Sequence, residues 1–168
     1  MSELLLTTKE RASAITTAPI LVEVEGRIGV GIDEAFRFVT DASQLGSWLP
    51  TGGKTRPDDS KATTPGGVGS VRVIKVGPAP ATLETVLAYE APRFYAYSAN
   101  DASLMGMYTG HLSAIGFAPN PDGTTSIVWL AYANPGRSWV MRYLGLRVFR
   151  FVLWNGMRNL EKRFPVRT

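Results

Sequence analysis

The segment from Arg137 to Phe164 constrains this chain more than any other. It contains no proline, and its apolar residues recur at helical spacing. Val140, Tyr143, Leu144, Val148, Phe151, Val152 and Leu160 trace one broad apolar stripe, with Arg142, Arg150, Arg158 and Lys162 mostly opposite. Pro165 ends the pattern. At ~1.5 Å per residue such a helix runs roughly 40 Å, enough to cross a whole sheet. Trp139, Phe149 and Trp154 fall at the margins of the stripe, so its apolar coverage is wider than one sheet contact needs.

The preceding residues supply a sheet. Val22, Val24, Ile28 and Val30 alternate with Glu23, Glu25 and Arg27, the period of a half-buried strand, and Gly26 is expected to mark a bend or bulge. Two short helices follow. Asp33 is the expected N-cap of the first, and Asp41 caps a second over Ala42 to Trp48 that Pro50 stops. Thr51 to Gly67 is polar and rich in Gly and Pro, and admits a weak edge strand around Gly53 to Asp58. Strand patterns then span Val68–Val76, Ala81–Tyr89, Arg93–Ala99, Met105–Phe117 and Thr124–Ala133, separated by turns such as Gly77–Pro80 and Pro119–Gly123. Short connections between sequential strands favour antiparallel pairing. The expected class is therefore α+β: a curved antiparallel sheet of six or seven strands around the C-terminal helix, with two short helices after the first strand. In the last two strands both parities carry large apolar groups, which leaves their inward face unassigned. Residues 1–19 read as a tail or short helix and residues 20–168 as a single domain.

Composition narrows the function. The chain has 168 residues, 45% hydrophobic and 19% charged, which suits a packed core rather than disorder. With no cysteine and one histidine, neither a disulfide framework nor a zinc site is expected, and a reducing, cytoplasmic setting fits. Met1 to Leu6 opens with an acid and is too short for a signal h-region, and no run approaches the ~18 apolar residues of a membrane span. The net charge of +4 owes most to arginines near the C-terminus; nucleic acid is not expected as a partner, and a homodimer is compatible. There is no Gly-x-Ser-x-Gly, no Walker loop and no dinucleotide fingerprint, and Gly66–Gly69 precedes a strand, not a helix. Asp58–Asp59 is weak as a calcium signal. No cofactor and no metal are expected.

Four motifs carry a resemblance. They are Val22 to Val30 followed by Asp33-Glu34-Ala35-Phe36; Asp41 to Pro50 with its Leu45 and Trp48; Gly67-Val68-Gly69-Ser70-Val71-Arg72; and Thr82 to Val86 followed by Tyr89 to Tyr97. In this order they resemble the helix-grip fold of the START/SRPBCC superfamily, in its polyketide cyclase/dehydrase-like branch, over roughly residues 20 to 164. The resemblance implies an internal cavity between sheet and helix. It implies a small hydrophobic or lipid- or polyketide-like ligand there, or an aromatase/cyclase activity on such a molecule. A third reading is an interaction module using the basic face of the C-terminal helix.

Several residues are candidates for that cavity. Arg72 and Glu84 flank the turn near Pro78 and face each other across two strands if the hairpin is tight. The pair then either borders the cavity, as the resemblance implies, or is an ordinary surface pair worth under about 1 kcal/mol. Tyr95 and Tyr97 share a strand face, with Tyr108 and Tyr132 on neighbouring strands. A tyrosine tip donates to a ligand carbonyl; packing is the bland alternative. His111 is either an acid/base or a satisfied strand histidine. Lys54 stands where some relatives carry a carboxylate-binding lysine, and is otherwise a solvated loop residue. Arg72, Glu84, Tyr97 and His111 are the catalytic candidates. Trp48, Met105, Met107, Trp129, Val148, Phe151 and Val152 are the expected apolar walls.

Overall fold

The computed structural model of the chain describes residues 2–51, 53–78, 80–104 and 107–166. Helix α1 (Glu3–Ser13) precedes strand β1 (Ile20–Ile28) and helix α2 (Ile32–Thr40). A 3-10 turn (Ala42–Gln44) runs into the short α3 (Leu45–Trp48). Strands β2 (Lys54–Asp58), β3 (Val71–Lys75), β4 (Thr82–Glu90), β5 (Phe94–Ala99), β6 (Tyr108–Pro119) and β7 (Thr125–Pro135) follow, and α4 (Trp139–Arg163) closes the chain. The seven strands form one antiparallel sheet in the order β1-β7-β6-β5-β4-β3-β2. The weak edge strand is thus real, and it lies at the end of the sheet opposite β1. Among the described residues no helix is long and apolar enough to cross a membrane.

The sheet is covered on both faces, which explains the ambiguous parity of its last strands. On the concave face Ile115, Phe117, Ile127, Trp129 and Ala131 pack with Val22, Val24, Phe36 and Trp48 against Leu153, Met157 and Leu160 of α4. On the convex face Leu112, Ala114, Val128, Leu130 and Tyr132 pack under Leu5, Ala12 and Ala18. Helix α1, capped by the Ser2 side chain, buries Leu5, Thr8 and Ala12 along one stripe. A Cβ at Gly116 of β6 would lie 2.0 Å from the Thr8 hydroxyl oxygen, so glycine lets that helix settle on the strand.

Three local expectations change. The N-cap of α2 is Gly31, not Asp33; Asp33 lies inside the first turn, where its charge suits the helix dipole. Gly26 marks no bulge: β1 pairs with β7 in unbroken register through it, and the irregularity lies between Ile20 and Val22. Gly26 instead gives room to α4, since a Cβ there would stand 2.4 Å from the Met157 sulfur. The third change concerns α4 itself. Its buried face runs through Gly145, Leu153, Gly156, Met157 and Leu160, while Val140, Tyr143, Leu144, Val148 and Phe151 of the expected stripe are exposed. Two glycines fix this rotation. A Cβ at Gly145 would meet the Tyr108 ring at 2.6 Å, and one at Gly156 would meet Trp129 at 3.0 Å. Close approach of the backbone won over the count of large apolar side chains.

Candidate functional site

A cavity of about 170 Å³ remains between the sheet and α4. Trp129, Leu104, Met107, Phe149, Val152 and Leu153 supply apolar walls, and Glu84, Tyr97, His111 and Ser113 bring polar groups to it. Mostly apolar walls with a few convergent polar groups are the usual makeup of a small-molecule site.

The polar side is built by strand register. Arg72 and Glu84 are direct partners across β3 and β4, and the guanidinium donates to the Glu84 carboxylate at 2.7 Å. Arg72 is buried, and its guanidinium carbon lies 4.0 Å from the Tyr97 ring centroid and 5.3 Å from that of Tyr95. Burial works most strongly against the Arg72 charge, but the Glu84 carboxylate together with Tyr95 and Tyr97 more than reverses this, so the guanidinium stays charged. Burial pushes the Glu84 carboxyl above the usual range, more than Arg72 draws it down. Burial raises the Tyr97 hydroxyl too, which keeps it a neutral donor.

His111 reaches the cavity beside a bulge. Between Thr109 and Leu112 the β6–β7 register slips, and Gly110 takes a φ of 59°. Glycine adopts that left-handed conformation without strain. One extra residue flips the parity of the strand, so that Tyr108 before the slip faces α4 together with His111, Ser113 and Ile115 after it. The backbone N–H of Ala99 donates to His111 Nδ1 at 3.0 Å, and Ser113 Oγ lies 3.2 Å from Nε2. Because Nδ1 accepts, the neutral ring carries its proton on Nε2 and donates toward Ser113. The ring stacks on Phe149, with centroids 5.4 Å apart. Burial first, and the Arg72 charge second, lower the His111 pKa to about 4.

The other sequence candidates scatter. Tyr95 shares the concave face with Tyr97 but borders a second cleft of about 400 Å³, formed with Thr40, Asp41, Asp59, Ser70 and Arg72. Trp48 is core rather than wall: it is buried with its ring centroid 5.6 Å from that of Trp129. Val148 lines the cavity from its exposed rim, whereas Phe151, 57% exposed, points away from it. Tyr108 donates to the Arg142 carbonyl and packs on Phe149, apart from the other tyrosines. Tyr132 is buried on the opposite face, under α1. Lys54 pairs with Lys75 across β2 and β3 and is exposed, one residue out of phase with the cavity face. Met105 lies outside the described residues. Leu49, Leu104, Ser113, Phe149 and Leu153 line the cavity without having been among the sequence candidates. The signal for Ser113 was its strand parity, which it shares with the candidate His111 two residues earlier.

Among the described residues, several buried donors on the concave side lack a partner: Arg72 Nε and the Tyr95 hydroxyl beside the second cleft, the Trp129 indole N–H, and that of Trp48 in the core. No group of three or more His, Asp or Glu among the described residues is placed to hold a metal ion.

Residues 19–165 match the family described as polyketide cyclase / dehydrase and lipid transport. The chain belongs to this family. Its helix-grip architecture recurs in solved structures of low identity. An uncharacterised protein of Bacillus thuringiensis superposes with a TM-score of 0.67 at 16% identity, covering 85% of this chain and 97% of its own. Norcoclaurine synthase from Thalictrum flavum gives 0.66 at 13%, covering 88% and 87%. An HSP90 activator from Plasmodium falciparum gives 0.61 at 16%, covering 86% and 96%. At these identities the likeness establishes the fold alone. No curated protein matches the chain.

Proposed function

We propose that this member of the polyketide cyclase/dehydrase and lipid transport family binds a small, neutral, largely apolar molecule between sheet and α4. The observation that carries the reading is the cavity of about 170 Å³, walled by Trp129, Phe149, Val152 and Leu153 and edged by Glu84, Tyr97, His111 and Ser113. An apolar cavity of roughly 150 Å³ accepts a benzene-sized guest. This space therefore suits a single ring or a short branched chain with one carbonyl or hydroxyl. Charge decides the class. Arg72 is already paired with Glu84, and the described residues lining the cavity include no Lys or Arg, so a ligand carboxylate meets Glu84 with no cation among them to balance it. Tyr97 and Ser113 offer hydroxyl donors to a neutral oxygen instead. Isothermal titration with phenols, ring ketones and size-matched benzoates tests this. The neutral compounds should bind and the benzoates should not, and Val152→Phe, which fills the space, should abolish the signal. Benzoates binding as tightly as phenols, or full binding by Val152→Phe, would overturn the proposal.

A second reading draws on one further observation, the raised Glu84 carboxyl at the cavity edge. A carboxylate of raised basicity can take a proton from the carbon beside a ligand carbonyl, while a Tyr97 hydroxyl hydrogen bond holds the developing enolate oxygen. The Glu84 carboxylic acid then exchanges its proton with solvent and returns one to carbon, or the enolate attacks a second carbonyl in a cyclisation and the new alkoxide takes the proton from Glu84. Such an enzyme would exchange substrate α-protons with deuterium, and Glu84→Gln would stop the exchange while leaving ligand affinity within a few-fold. The present volume favours a ring-sized body over a long polyketone.

A further inference from the structure

The outward face of α4 is unlike the rest of the surface. Trp139, Tyr143, Leu144, Val148, Phe151 and Trp154 stand between 47% and 72% exposed along just over four turns. Large apolar side chains gathered on one helix face mark an interaction surface rather than chance exposure. The charges within it share one sign. Between Asp122 and Glu161 the sequence has no acidic residue and five arginines: Arg137, Arg142, Arg147, Arg150 and Arg158. None of the ion pairs among the described residues uses any of the five. Arg147 instead bends its guanidinium to the Tyr143 hydroxyl at 2.8 Å, holding its charge beside the aromatic groups.

We propose that this face docks on the surface of an anionic lipid bilayer. Aromatic and aliphatic groups flanked by arginines are what an interfacial helix presents, with its apolar arc sunk about 5–10 Å among the headgroups and its cations against lipid phosphates. Charge complementarity selects this occupant over a second copy of the chain. A two-fold interface through α4 sets the arginine-bearing face of one copy against the same face of the other, with no acid between residues 122 and 161 to balance it. The docking face is also continuous with the cavity. Val148 is exposed on it and lines the cavity, and Gly145, Phe149 and Val152 line the cavity from the adjacent helix positions. A bilayer under α4 therefore meets the cavity rim. The inference rests on the helix face and stands whether or not the ring-sized ligand is right.

Tryptophan makes the test direct. Two of the four tryptophans, Trp48 and Trp129, are buried and give a constant background, while Trp139 and Trp154 lie on the docking face. The full chain is mixed with vesicles of phosphatidylcholine alone or with phosphatidylserine, at low and physiological salt. Co-sedimentation with the anionic vesicles, weakened by salt, a blue shift of tryptophan emission and protection from acrylamide are expected. Each arginine removed should lower partitioning about fivefold, so Arg147→Gln with Arg150→Gln should lower it about thirtyfold. Trp139→Ser with Phe151→Ser should abolish the blue shift, and both pairs of exposed substitutions should leave the melting temperature unchanged. Absence of binding to anionic vesicles at low salt would overturn the proposal, as would equal binding to neutral ones. A concentration-dependent dimer that shields the two tryptophans would assign the face to a second copy. Shielding by a soluble acidic polypeptide but not by vesicles would assign it to a protein partner. Either result would end the membrane reading.

Discussion

His111 is the only histidine in the chain, so its titration can be read without ambiguity. Burial and the Arg72 charge lower its pKa to about 4, against 6.5 for an exposed imidazole. A gap of that size corresponds to about 3 kcal/mol of folding stability, at 1.36 kcal/mol per unit. Its sign follows from proton uptake. Between pH 6.5 and about 4 the unfolded chain holds a proton on this residue that the folded chain lacks, so acid favours unfolding. The contribution is complete above pH 6.5 and shrinks through that window as pH falls. It is gone once the folded ring itself is protonated, near pH 4 and below. Carboxylates titrate over part of the same range, so the useful quantity is the difference from His111→Gln, which retains an acceptor for the Ala99 N–H without the charge change. Urea unfolding from pH 7.5 to 4 should show the wild type losing about 3 kcal/mol more than the variant. The imidazole proton resonances should remain those of the neutral ring down to about pH 5. A midpoint near 6.5, or parallel stability curves for the two proteins, would show that His111 is not enclosed between Phe149 and Tyr97.

The Arg72–Glu84 pair should behave as a coupled unit. Arg72→Met should cost about 3–5 kcal/mol, because it strands a buried carboxylate, and adding Glu84→Leu should recover most of the loss. Additive effects in guanidinium unfolding would mean that the two side chains do not meet. Leu5→Ala should destabilise by about 2–3 kcal/mol, since Leu5 is 3% exposed between α1 and the sheet. A change below about 0.5 kcal/mol would mean that α1 does not pack on the sheet. Tyr132→Phe should cost little or even stabilise, because the hydroxyl is buried without a partner. A loss above about 1 kcal/mol would reveal a hydrogen bond that the geometry does not contain.

Much of the architecture could be read from residue patterns. The turn at Pro119–Gly123, the alternation of Val22, Val24 and Ile28, and the proline-free C-terminal segment are local signals that tertiary context did not override. Arg72 and Glu84 could be paired because one short turn fixes the register of their hairpin. What escaped depended on long-range packing. The two faces of β6 and β7 looked alike because α1 returns to bury the second one, and no local pattern announces that. The rotation of α4 was misjudged because its largest apolar residues lie outside, while Gly145 and Gly156 set the inner face by admitting Tyr108 and Trp129. Part of the cavity wall shifted with that rotation, exchanging Phe151 for Phe149. His111 and Ser113 share a face by strand alternation, but which face that is, and their relation to the cavity, is a matter of three dimensions.

A crystal of the protein pressurised with xenon tests the central claim most directly. Xenon enters dry apolar voids and marks them with strong density. A peak enclosed by Tyr97, Trp129, Val152 and Leu153, displaced by a bound phenol, is the expected result. Side chains filling that interior with no xenon between them would contradict the account.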